Sequence, residues 1–131
     1  MEPVSAGNGR TPRRHILVRV LTIVVALVNL GDIALHVAID QVEPLRVAGN
    51  IVVIVAALGV LAVAALRRPV IPVGAAVVNL GLNLVFIVIF GIGGLGAVLI
   101  ALTTILLATI AGRLRSEPTP TRPGRPPSVA P

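Results

Sequence analysis

The residues best suited to chemistry in this chain are one aspartate, one histidine and three asparagines set inside long apolar runs. Thr22, Asn29, Asp32, His36 and Asp40 recur at helical spacing, and at 100° per residue they share an arc of roughly 80° on one helix face. Asn79, Asn83, Phe86 and Phe90 form a second stripe of the same kind, and these two phenylalanines are the only ones in the chain. A carboxylate among neutral amides is a plausible ligand set for a proton or cation. Asp32 would carry the charge, Asn29, Asn79 and Asn83 would supply neutral ligands, and His36, one turn from Asp32, would share or relay a proton. The same residues also suit a plainer role, a hydrogen-bonded cluster that fixes helix register at about 0.6 kcal/mol per contact. Residue types alone leave both readings open.

Four apolar stretches must hold these groups in place. Residues 16–39, 47–66, 70–92 and 95–111 each come near the roughly 20 residues that a helix needs to cross a hydrocarbon core about 30 Å thick. Hydrophobic residues make up 56% of the chain and charged ones 12%, with mean hydropathy +1.01, a balance that excludes a soluble domain of this size. The expected fold class is an all-α membrane protein with four transmembrane helices in one bundle over residues 15–112. A basic, irregular N-terminal segment (1–14) and a Pro/Arg-rich, irregular tail (113–131) flank it. Centring one Asp in a lipid-facing helix costs about 2.5–3.5 kcal/mol, so the Asp32 stripe must face the bundle interior. Helices 1 and 3 are expected to meet through their two stripes.

Charge fixes the expected orientation. The chain has eleven arginines and no lysine. Ten of them flank the termini or join helices 2 and 3, and only Arg46 lies on the opposite side. The positive-inside rule then places both termini in the cytoplasm and the connections at 40–46 and 91–96 outside. There, Asp40, Glu43 and Arg46 would make a headgroup-level salt-bridge set worth about 0–1 kcal/mol. The +6 net charge sits at helix ends and in tails rather than on a folded face, so nucleic acid is not an expected partner. The expected surroundings are the lipid bilayer, with a second copy or a partner membrane subunit. Tryptophan and tyrosine are absent, leaving arginine side chains as the interfacial anchors. An all-arginine basic set among abundant Ala, Val, Gly and Pro fits a GC-rich bacterial genome, hence a bacterial cytoplasmic membrane.

Smaller signals set the boundaries. Pro44 after Glu43 reads as the first turn of helix 2, Arg67-Arg68-Pro69 as its end, and the glycines at 91, 93, 94 and 96 as the break between the last two spans. That Gly-x-Gly-x-x-Gly run links two membrane helices and has no strand–helix unit around it, so it is no dinucleotide fingerprint. Val28-Asn29-Leu30-Gly31 recurs as Val78-Asn79-Leu80-Gly81, fifty residues later. Two hairpins in a weak parallel repeat are therefore expected, their axis along the membrane normal. Small residues recur on helix 4 (Gly93, Ala97, Ala101, Thr104, Ala108, Gly112) and on helix 2 (Asn50, Ala57, Ala64), spacing that permits close helix approach. The tail carries proline-x-x-proline spacings at Pro120, Pro123 and Pro126, read as part of a solvated basic tail.

Four spans in a short chain with one carboxylate in helix 1 is similar in outline to the small multidrug resistance transporters. That resemblance would imply a glutamate ringed by aromatic residues, whereas this chain has Asp32, no Trp or Tyr, and an arginine bias that selects one topology. The chain is not assigned to that family. With no cysteine, no nucleophile–base–orienter set and a lone His36 as the only intramembrane imidazole, neither an enzyme nor a metal or other cofactor is expected. The expectation is a non-enzymatic structural or accessory membrane subunit. The alternative is a proton- or cation-coupled transporter or channel using Asp32 with Asn29, His36, Asn79 and Asn83.

Overall fold

The computed structural model describes residues 11–40, 43–91 and 94–116. The expected irregular segment up to residue 10, the tail from 117 with its proline spacings, and residues 41, 42, 92 and 93 of the two connections lie outside the described residues.

Four helices follow one another: α1 (Thr11–Ala38), α2 (Pro44–Ala62), α3 (Val70–Phe90) and α4 (Gly94–Arg115), with a short 3-10 turn at Ala64–Leu66. All four are long and apolar enough to cross a membrane. Helix α1 begins before the apolar stretch expected at residue 16, and α4 continues past 111. Hydropathy marks where apolar side chains stop, whereas backbone bonding can continue through polar and charged residues.

The α-helical part of α2 stops at Ala62, short of the expected end at the arginine pair. Val63 takes an extended conformation (φ −115°, ψ 113°). Arg67 then folds back, its Nε donating to the Val60 carbonyl and its Nη2 to that of Leu61, each at 3.2 Å. A cationic side chain thereby caps carbonyls that the helix end leaves without partners. At the other end of α2, Pro44 occupies the first turn with Glu43 as the N-cap residue. Helix α3 is closed by Gly91 at φ +80°, a conformation that L side chains rarely adopt.

Each helix packs on its two neighbours: α1 on α2, α2 on α3, α3 on α4, and α4 back on α1. The result is a four-membered ring of antiparallel neighbours, in which α1 and α3 stand diagonally. This corrects the expectation that helices 1 and 3 are packing partners. Connections of only a few residues make sequence neighbours into spatial neighbours, and the inward stripes of all four helices converge on the axis instead of pairing two by two.

The interior has two layers. Toward the termini it is mainly apolar, with Val18, Val25, Val53, Ala57, Leu107 and Ile110 at its centre and Thr22 as its one buried polar side chain among the described residues, donating to the Val18 carbonyl. Toward the connecting loops it turns polar, with Asn29, Asp32, Asn50, Asn79, Asn83 and Thr103 all buried. Large apolar side chains cover the outside, Leu27, Val77, Val88 and Ile105 among them. That arrangement suits a hydrocarbon surround, since little polar surface is left to meet water. The α4 small-residue stripe also faces outward: Ala97, Ala101, Ala108 and Gly112 are exposed.

Candidate functional site

Asp32 lies about 9 Å along the helix axis from the last residue of α1. Arg46 is the third residue of α2. Because the two helices run antiparallel from a single short connection, these residues face each other across the hairpin. The guanidinium grips the carboxylate with two bonds, Nη2 to Oδ1 at 2.8 Å and Nε to Oδ2 at 3.0 Å. Asn50, one turn further along α2, donates a third bond to Oδ2 at 2.7 Å. Side-chain exposure is 11% for Arg46 and 5% for Asp32, so the pair is largely desolvated and its parallel fork geometry is the strong kind of ion pair.

Two expectations change here. Arg46 does not join Asp40 and Glu43 in an outward set; its side chain turns into the bundle, where the Asp32 charge is otherwise uncompensated. His36 does not share a proton with the Asp32 carboxylate as the main contact. Its Nδ1 lies 2.7 Å from the Asp32 backbone carbonyl and 3.4 Å from Oδ1. A carbonyl can only accept, so Nδ1 carries the proton in this arrangement.

The asparagines are likewise engaged. Asn29 donates to the Val25 carbonyl at 2.8 Å and to Thr103 Oγ on α4 at 3.2 Å. Asn83 donates to both the backbone carbonyl and the side-chain oxygen of Asn79, at 2.8 and 3.1 Å. Gly49 of α2 makes room for this pair: a Cβ there would stand 2.8 Å from Asn79 Oδ1. All five sequence-nominated residues thus lie in one polar layer. They sit in separate small hydrogen-bond sets, Asp32 with His36 on α1 and Asn79 with Asn83 on α3, while Asn29 bonds to Val25 and Thr103. Arg46, Gly49, Asn50 and Thr103 were missed as members of the site, Asn50 having been read only as part of the small-residue stripe of helix 2.

Among the described residues, no fully buried side-chain nitrogen or oxygen lacks a partner. The space left between Asn29, Asp32, Asn50, Asn79 and Thr103 is about 10 Å³, at the lower limit for one water molecule. Beyond it, at the end carrying the α1–α2 and α3–α4 connections, the bundle opens into a vestibule of about 840 Å³. His36, Glu43 and Arg46 line it together with Phe86 and Phe90, whose rings lie 5.3 Å apart at 31°.

No protein-family model, curated protein or solved structure matches the chain. Four apolar helices around a polar interior are compatible with a small integral membrane protein.

Proposed function

We propose that this chain is a non-enzymatic, multi-pass protein of a bacterial cytoplasmic membrane, both termini cytoplasmic, acting as a structural or accessory subunit. The observation that supports this reading is the closure of the polar layer: Asp32 is occupied by Arg46 and Asn50, and the space beside it accommodates about one water. A carboxylate with a built-in counter-charge holds helices in register, whereas a coupling site must be free to exchange its proton or ion. Below it, Val25, Val53 and Leu107 fill the axis, and the one buried polar side chain beyond them among the described residues, Thr22, is spent on the Val18 carbonyl of its own helix. The transporter or channel reading, with Asp32, Asn29, His36, Asn79 and Asn83 as the conducting set, has correspondingly less support.

The ten-to-one arginine split supports the orientation. The bilayer is then the solvent for the apolar exterior, and a second copy or a partner membrane subunit would meet the bundle on that surface. Recurrence of buried positions at a fifty-residue offset supports the two-hairpin duplication: Asn29 and Asn79, Ala57 and Leu107, Val60 and Ile110 are all buried.

The test is flux. Liposomes containing the protein should hold an imposed pH or cation gradient as long as empty ones do. A leak in the wild type that disappears in Asp32→Asn would overturn the subunit reading. A reporter fused after Pro131 should be active only in its cytoplasmic form.

A further inference from the structure

We propose that the loop-end vestibule is a binding site for bulky, lipophilic organic monocations. The argument rests on charge and wall chemistry. Three acidic or basic side chains line the cavity, His36, Glu43 and Arg46. Arg46 is already neutralised by the buried Asp32 at 2.8 Å, and His36 is tied through Nδ1 to a backbone carbonyl. Glu43 is the exception. It stands at the N-cap of α2, yet its side chain makes no capping hydrogen bond. Among the described residues, no ion pair engages it, that with Arg46 included.

Glu43 is half-buried beside apolar walls, and a cation entering there meets its charge with no other described side chain competing for it. Those walls are Leu35, Ile39 and Leu95 with the two rings of Phe86 and Phe90. Aromatic faces attract cations, most strongly where water is excluded. At about 840 Å³ the cavity falls within the ~300–1,000 Å³ of small-molecule sites. A small hydrated ion would leave the aromatic and aliphatic walls unused, and an anion would meet Glu43 as a like charge. A quaternary or delocalised cation with an apolar body uses both features. Asp32 does not line this site, which meets the closed cluster only at Arg46, so a gradient leak through Asp32 would overturn the subunit reading without bearing on the vestibule.

The experiment uses the full chain in lipid nanodiscs and two probes of the same shape and opposite charge, tetraphenylphosphonium and tetraphenylborate. Free probe is measured by equilibrium dialysis, and partition into empty nanodiscs is subtracted. The phosphonium should show one saturable site per chain and the borate none. Glu43→Gln should weaken phosphonium binding by about tenfold, and Glu43→Asp, which keeps the charge, by no more than about threefold. Phe86→Leu should weaken it by about fivefold. Circular dichroism of each variant verifies that the bundle is intact. The proposal is overturned if the phosphonium shows no saturable binding above empty nanodiscs. It is also overturned if the borate binds equally well, or if a folded Glu43→Gln variant binds like the wild type.

Discussion

Removing either partner of the Asp32–Arg46 fork should destabilise the bundle far more than removing both. In Asp32→Asn, three donors that now converge on two carboxylate oxygens, Arg46 Nε, Arg46 Nη2 and Asn50 Nδ2, meet a group with one acceptor oxygen and an NH₂. At least one donor then faces another donor, and the guanidinium loses its counter-charge. Breaking a buried pair in this way costs about 3–5 kcal/mol. The lower end, about 3 kcal/mol, applies here because Arg46 also borders the open vestibule and water can reach part of it. Arg46→Gln strands the carboxylate instead, with Asn50 and His36 as its remaining neighbours, at a similar cost. The double variant, Asp32→Asn with Arg46→Gln, contains no stranded charge and sets amide against amide. Its cost should fall below the sum of the single costs by at least about 1.5 kcal/mol. Unfolding in mixed micelles of increasing denaturing-detergent fraction, followed by circular dichroism, measures all three. Single costs that add to within about 0.5 kcal/mol would refute the reasoning, because independent residues behave that way.

Cysteine pairs test the ring arrangement in a background that has no native cysteine: substitutions at Asn29 and Thr103, whose side chains lie 3.2 Å apart, should crosslink readily, and substitutions at Asn29 and Asn79 much more slowly. Faster crosslinking of the 29/79 pair would mean that α1 and α3 are neighbours after all. Gly49→Ala should lower stability by about 1–2 kcal/mol, since its Cβ would crowd Asn79 Oδ1. Gly31→Ala and Gly81→Ala, where nothing lies within 4 Å, should cost nothing in the same unfolding assay. Arg67→Ala should cost about 1 kcal/mol by freeing the Val60 and Leu61 carbonyls, and Arg67→Lys should recover only part of that because a single ammonium cannot reproduce the fork.

The four helices were legible because apolar run length is a strong signal, and Pro44 and the glycines near residue 91 punctuate the runs. The inward turn of Asn29, Asp32, Asn79 and Asn83 was legible for the same physical reason, the cost of polar groups facing lipid. Their partners were not. Arg46 was assigned to the headgroup layer because arginines near helix ends usually extend toward water, and that rule takes no account of a buried carboxylate across the hairpin. Hairpin register could have found it: Asp32 and Arg46 are equidistant in sequence from residue 39, and Asp32 and Asn50 from residue 41, close to the midpoint between the two apolar runs. A stripe reports which face is inward without reporting which helix it meets, which is why α1 was expected against α3. The early end of α2 was hidden because residues 63–66 remain apolar, and the folding back of Arg67 leaves no mark in hydropathy.

On the proposed membrane reading, the short sequence separation of the central ion pair, fourteen residues, bears on how the chain would enter a bilayer during synthesis. A lone Asp and a lone Arg would each have to be carried into hydrocarbon at about 2.5–3.5 kcal/mol. Both belong to one hairpin, and that hairpin can pair them before the rest of the chain exists, so it can partition as a unit with no net interior charge. The second hairpin is prepared in the same sense, because Asn83 is satisfied by Asn79 one turn away on the same helix. Of the side-chain hydrogen bonds in the polar layer, only that from Asn29 to Thr103 joins the two hairpins. Lateral assembly of the halves is then left mainly to the fit of Val25, Val53, Leu107 and Ile110, a step that needs no polar group to find its partner inside lipid.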